Sequence, residues 1–198
     1  CIIILVNFMY EDKKILILGM ARSGYESAKL LAKHKCDVIV TDMKEQNKEQ
    51  VKELNDLGVK VIITNDPLPL LDETFDYVIK NPGIKLEHPI CLKAKELGIK
   101  VVSEVEIAYH FLKNKNVQII GITGSNGKTT TTSIIYYLLK NAGLNVGLGG
   151  NIGKSYAYQV ATENYDIYVI ELSSFQLDGM YDFKADIAIL LNITPDHL

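Results

Sequence analysis

The segment Thr123-Gly124-Ser125-Asn126-Gly127-Lys128-Thr129-Thr130 lies between an apolar run and an amphipathic stretch. That order of residue types suits the phosphates of a nucleoside triphosphate. Glycines let successive backbone N–H groups converge on one point, and a helix N-terminus adds partial positive charge. Lys128 supplies a cation for the β- and γ-phosphates, and Thr129 offers a hydroxyl to Mg²⁺. The strict spelling G-x-x-x-x-G-K-[ST] is not met, because Ile122 stands where its first glycine belongs.

Other residues could complete such a site. Glu171 closes the apolar run Tyr168-Val169-Ile170 and emerges at the carboxyl end of a buried strand, where ligands bind in open α/β sheets and a carboxylate can hold Mg²⁺ directly or through water. His197 follows another apolar run in the same way, as a ligand or as an ordinary structural histidine. Nearer the start, Gly19-Met20-Ala21-Arg22-Ser23-Gly24 approximates the dinucleotide fingerprint G-x-G-x-x-G with alanine in the middle place, and Asp42 follows at the distance that fingerprint asks. It fits an NAD enzyme or any nucleotide seated on a helix N-terminus. Asn81-Pro82-Gly83-Ile84 is a turn by composition and a binding loop by position.

The elements that must position these residues alternate. Apolar runs at Lys14 to Leu18, Val38 to Val40, Val59 to Ile63, Tyr77 to Ile79 and Ile99 to Val102 read as strands. The stretches between them carry helical spacing, as with Tyr25, Ala28, Leu31 and Ala32. Continuously apolar strands alternating with helices predict a parallel sheet covered on both faces. Lys113-Asn114-Lys115-Asn116 reads as a linker, after which Val117 to Ile122, Tyr165 to Leu172 and Asp186 to Ile193 are further strands. The helix after Lys128 is expected to bury Ile134, Ile135, Leu138, Leu139 and Ala142 as one stripe. The fold class is α/β: a Rossmann-like N-terminal parallel-sheet domain over residues 1–113, then the first part of a P-loop ATPase α/β domain over 114–198.

Composition narrows the partners. The chain has 198 residues, 47% hydrophobic and 23% charged, which excludes a disordered or collagen-like protein. A formal net charge of -3 gives no basic field for nucleic acid. Cys1, Cys36 and Cys91 form neither a disulfide framework nor a zinc motif, which fits a reducing cytoplasm. No apolar stretch approaches the ~20 residues of a membrane span, so no membrane association is expected. A start at Cys1 rather than Met, and an end without a terminating pattern, suggest a piece of a longer chain.

Taken in order, Gly19 to Gly24, Asn81 to Ile84, Thr123 to Thr130, Gly149-Gly150-Asn151-Ile152-Gly153, Glu171-Leu172-Ser173-Ser174-Phe175-Gln176-Leu177 and Asp196-His197-Leu198 resemble the Mur ligases of bacterial cell-wall synthesis. The likeness is greatest to the branch that adds D-glutamate to UDP-N-acetylmuramoyl-L-alanine. The resemblance implies ATP- and Mg²⁺-dependent amide formation through an acyl phosphate. It implies that Gly124, Ser125, Asn126, Gly127, Lys128, Thr129 and Thr130 bind ATP, and that Thr129, Glu171 and His197 serve as metal ligands. Ala21, Arg22 and Ser23 would face the substrate diphosphate, Asp42, Met43 and Gly83 its uracil, and Asn151 its sugar–peptide end. Met43 and Lys44 depart from the small hydroxyl residue and arginine expected there. Alternatives are a sibling Mur or folylpolyglutamate-type ligase, against which Ser173-Ser174-Phe175-Gln176 speaks, and a nucleotide-binding module without chemistry.

Overall fold

The computed structural model describes residues 10–113 and 115–195. The first half is a five-stranded sheet in the order β3-β2-β1-β4-β5, with β1 Lys14–Leu18, β2 Asp37–Asp42, β3 Lys60–Ile63, β4 Tyr77–Lys80 and β5 Lys100–Val102. Every pairing is parallel, for example Ile17 opposite Val40 on one side and Ile79 on the other. Ile15, Leu16 and Ile17 are successive yet fully buried, as a strand with helices over both faces requires. Helix α1 Arg22–Lys33 buries Tyr25, Ala28 and Leu31 against this sheet, α2 is Lys48–Asp56 and α3 is Pro89–Glu96. Gly24 allows α1 to start tightly behind β1, since a Cβ there would collide with the Gly19 carbonyl oxygen.

The chain reverses its strand order between β1 and β4, so the loops after these strands, Gly19 to Gly24 and Asn81 to Ile84, flank the crevice where an open α/β sheet receives ligands.

The second sheet is also parallel, in the order β7-β8-β6-β9, with β6 Gln118–Thr123, β7 Val146–Gly150, β8 Ile167–Glu171 and β9 Ile187–Leu190. Between the sheets lies α4 Glu104–His110, all seven of whose residues are buried. Its two carboxylates bind backbone amides of the second half. Glu104 accepts from Ser155 Oγ and Ala157 N, both at 2.7 Å, at the start of α6 Tyr156–Thr162. Glu106 accepts from Asp182 N at 2.7 Å and Phe183 N at 2.9 Å. One apolar core runs through both halves, from Ile15 and Val40 to Tyr156 and Tyr168.

The helix after the glycine loop, α5 Lys128–Asn141, departs from the expected stripe. Ile135 and Leu139 pack inward with Tyr136, and Thr132 is buried, while Ile134 and Leu138 are 54% and 65% exposed and Ala142 lies past the helix end. The true face is 132-135-136-139, and Ile134 and Leu138 lie on the flank, where no element covers them among the described residues. The helix α6 and the strand β7, which sequence periodicity did not reveal, complete the layer. No helix among the described residues is long and apolar enough to cross a membrane.

Candidate active site

The glycine loop leaves β6 and enters α5 through Gly127, whose φ of +84° is left-handed and suits glycine. Among the described residues no side chain caps this helix, whose N-cap is Gly127. The N–H groups at its start are therefore free to meet an anion. Lys128 curls back over the loop, its Nζ donating to Gly124 O at 2.6 Å and Ser125 O at 2.9 Å. From the end of β9, Asn192 reaches the loop crown. Its side-chain oxygen accepts from Asn126 N at 2.9 Å, its Nδ2 donates to Asn126 O at 3.0 Å, and its backbone oxygen accepts from Ser125 N at 3.0 Å. Ser125 Oγ donates to Thr194 O, and Thr194 N donates to Ser125 Oγ, both at 2.9 Å.

Glu171 ends β8 beside the loop and is 1% exposed. Its Oε2 accepts from Thr129 Oγ1 at 2.8 Å and its Oε1 from Asn151 Nδ2 at 2.7 Å. The register explains the meeting: Glu171 pairs with Ile122 at the end of β6 and Gly150 at the end of β7, so three strand ends deliver the three segments to one point. Arg22, at the first turn of α1 in the other half, donates to the carbonyls of Gly153 at 2.7 Å, Asn151 at 3.3 Å and Gly150 at 3.5 Å. The first sheet's fingerprint loop thereby grips the loop that carries Asn151.

Two cavities surround these groups. One, of about 800 Å³, opens between the halves, with Pro82 and Gly83 on one wall, Ser173 to Phe175 on another, and Gly124, Ser125, Lys128 and Asn151 at its base. The other, of about 390 Å³, lies at the β1/β4 crevice and is lined by Gly19, Ala21, Asp42, Met43, Asn81 and Ile84 among others. Asp42 shapes it by accepting from Met20 N at 2.8 Å and Lys44 N at 3.0 Å. Met43 is 63% exposed at its rim. Gly83 faces the larger cleft, whereas Ala21, Asp42 and Met43 line the smaller cavity. The start of α1 has no side-chain cap, leaving N–H groups available near Ala21 and Ser23.

Residues 13–103 match the family model described as Mur ligase MurD-like, N-terminal domain, and residues 122–198 match the Mur ligase middle domain. The chain belongs to the Mur ligase family. It is 49% identical over 189 residues to the UDP-N-acetylmuramoylalanine--D-glutamate ligase of Bacteroides fragilis, a match covering 94% of this chain and 41% of that protein. The enzyme of the same name from Geobacillus sp. is 48% identical over 193 residues, 96% of this chain and 42% of the relative. The chain thus spans less than half the length of these relatives. Among solved structures, a Mur-type UDP-N-acetylmuramate:L-alanyl-gamma-D-glutamyl-meso-diaminopimelate ligase from Neisseria meningitides superposes with a TM-score of 0.56 at 22% identity, covering 93% of this chain and 62% of that one. UDP-N-acetylmuramate-alanine ligase from Thermotoga maritima gives 0.54 at 21% identity, covering 93% and 42%. These two likenesses are of fold.

In this Mur ligase chain the Thr129 hydroxyl and the Glu171 carboxylate are hard oxygen donors already in contact, a set that fits Mg²⁺. His197 lies outside the described residues. Sequence reading missed Asn192 and Thr194, which brace the loop, and Lys80, which is buried between the halves. The available signal was position alone: Lys80 and Asn192 stand at or just beyond the carboxyl ends of parallel strands. The thiols of Cys36 and Cys91 line neither cavity. Cys36 donates to Tyr10 O, with burial pushing its pKa up to about 12, and burial also raises that of Cys91.

Proposed function

We propose that this chain forms the uridine-nucleotide half and the beginning of the ATP half of a cytoplasmic ligase that joins D-glutamate to UDP-N-acetylmuramoyl-L-alanine in peptidoglycan precursor synthesis. The observation that carries the reading is that Lys128 and Asn151 meet at the base of one cleft, with Glu171 bonded to Asn151 and Thr129 behind them, and that Pro82 and Gly83 of the first half form its opposite wall.

The chemistry explains why these groups must meet. A carboxylate is a poor electrophile, and transfer of the γ-phosphoryl group of ATP to its oxygen turns that oxygen into a leaving group. The amine of D-glutamate then attacks the acyl carbon, the C–O bond to phosphate breaks, and amide and phosphate result. Bringing an anionic carboxylate to a triphosphate requires offsetting positive charge. Lys128 supplies a cation, freed for phosphate by giving up its two loop carbonyls, and the α5 N-terminus supplies backbone N–H groups. Thr129 and Glu171 would hold Mg²⁺, with His197 as a further ligand. The bound ion would neutralise phosphate charge. Asn151 orients the Glu171 carboxylate. The smaller cavity would take the uracil against Asp42 and Met43. The diphosphate would meet the α1 N-terminus at Ala21, Arg22 and Ser23, with the sugar and L-alanine running past Gly83 toward Lys128.

The test is phosphate release and amide formation by the full-length enzyme with UDP-N-acetylmuramoyl-L-alanine, ATP and Mg²⁺, with and without D-glutamate. D-glutamate-dependent product is expected. Thermal shifts with UDP, NAD and Mg-ATP accompany it, because a ligand that binds only the folded state raises stability. Stabilisation by NAD but not UDP would refute the reading.

A further inference from the structure

Lys80 is the last residue of β4 and only 2% exposed, yet among the described residues no carboxylate pairs with it. Its ammonium donates instead to two carbonyl oxygens, those of Ile84 and Phe175, each at 3.1 Å. Phe175 lines one wall of the large cleft, and Ile84 ends the turn whose Pro82 and Gly83 line the other. Ile84 closes the Asn81-Pro82-Gly83-Ile84 turn of the first half, and Phe175 lies in the Ser173 to Leu177 segment of the second. A buried ammonium is costly to desolvate, and burial lowers its pKa from the usual lysine range, with Asp178, Cys91 and Glu87 acting the other way. A methionine of similar length would fill the space without that cost. The cation therefore serves for its donors, which reach both walls from one atom.

We propose that Lys80 is a positioning residue that fixes the separation between the Pro82–Gly83 wall and the Ser173–Phe175 wall, and so sets the fit of the sugar–peptide portion of the substrate. The inference rests on the function proposed above. It predicts a division of effects by substrate part. The uridine end would sit in the smaller cavity, which Lys80 touches only through the Ile84 carbonyl, and ATP would sit on the Gly124 to Thr130 loop. The portion that crosses the cleft depends most on the spacing of its walls.

The experiment compares full-length wild type, Lys80→Met and Lys80→Arg, measuring affinity for UDP, affinity and KM for UDP-N-acetylmuramoyl-L-alanine, KM for ATP, and the thermal midpoint. Lys80→Met removes both carbonyl bonds and is expected to weaken binding of the complete substrate about tenfold. UDP affinity and KM for ATP should stay within twofold. Lys80→Arg, which keeps the cation and the donors, should recover at least half of the loss, and it carries the test alone if Lys80→Met does not fold, by retaining substrate affinity within about threefold of wild type. Unchanged substrate affinity in Lys80→Met, or equal losses for UDP, ATP and substrate, would overturn the inference, as would an Arg variant that behaves no better than Met. Wild type that binds neither UDP nor the substrate would instead overturn the assigned function.

Discussion

Thr129 Oγ1 donates to Glu171 Oε2 at 2.8 Å, while the other oxygen of the same carboxylate accepts from Asn151 at 2.7 Å. Glu171 is thus held by two neutral donors, almost wholly buried, and no salt bridge reaches it among the described residues. That setting suits the Mg²⁺ role proposed for Glu171. Glu171→Gln keeps the size and removes the charge. It is expected to lower kcat by about 10²–10³ with UDP affinity unchanged. The check is steady-state turnover across a Mg²⁺ titration; full activity at ordinary Mg²⁺ would remove Glu171 from the metal site.

Lys128 is both the loop's cation and, through Gly124 O and Ser125 O, its brace. Lys128→Ala should therefore depress phosphoryl transfer by at least ~10²–10³. UDP-induced thermal stabilisation should persist, because the smaller cavity proposed for uridine is built from other strands. Positional isotope exchange in ATP reads the phosphoryl step separately from amide formation. Turnover near wild type would exclude the loop as the ATP site.

Arg22 ties α1 to the Gly150–Gly153 loop by three carbonyl contacts, which a lysine cannot reproduce because it lacks the planar fork. In Arg22→Lys, amide hydrogen exchange at residues 151–154 should rise about tenfold, the signature of local opening, with exchange in β1 and β2 unaltered. Addition of UDP should leave this difference in place, because the diphosphate would meet the backbone N–H groups at the start of α1 while the guanidinium keeps its carbonyls. Its disappearance with UDP would point to the diphosphate as the guanidinium's true partner.

The contrast between halves explains what was legible in advance. Ile15 to Leu18 and Tyr168 to Ile170 are continuous apolar runs, short and rich in β-branched or aromatic residues as strands buried on both faces are, and the glycine loop between strand and helix is a local pattern. Strand β7 escaped notice because Val146-Gly-Leu-Gly-Gly150 is glycine-rich, and its glycines are demanded by tertiary neighbours: a Cβ on Gly149 would run into the Gln159 side chain. The α5 stripe was displaced by one residue because Ile134 and Leu138 are as apolar as Ile135 and Leu139, and only the sheet beneath decides between them. Lys80, Asn192 and the Arg22 grip depend on contacts between segments 95, 66 and about 130 residues apart, which no local pattern encodes.

Glu104 gives the sharpest test of how the halves are joined. It is fully buried, and desolvation raises its pKa above the usual carboxylate range despite the bonds from Ala157 and Ser155. The folded state therefore binds a proton more tightly than the unfolded chain, so this group makes stability fall as pH rises from the unfolded pKa, near 4.3, through the higher folded pKa. Above the folded pKa the penalty is complete and constant. Glu104→Gln retains an oxygen that can accept from both Ser155 Oγ and Ala157 N, and it removes the charge. It should be as stable as wild type or more so at pH 8, with the advantage shrinking toward pH 5. Glu104→Ala leaves the buried Ser155 hydroxyl and Ala157 N–H without their acceptor and should lose about 1–3 kcal/mol at either pH. Urea unfolding of the three proteins at pH 5, 6.5 and 8 measures both effects. A Gln variant that is markedly less stable than wild type at pH 8 would mean that the carboxylate charge itself, acting on Arg22 or the α6 N-terminus, holds the two halves together.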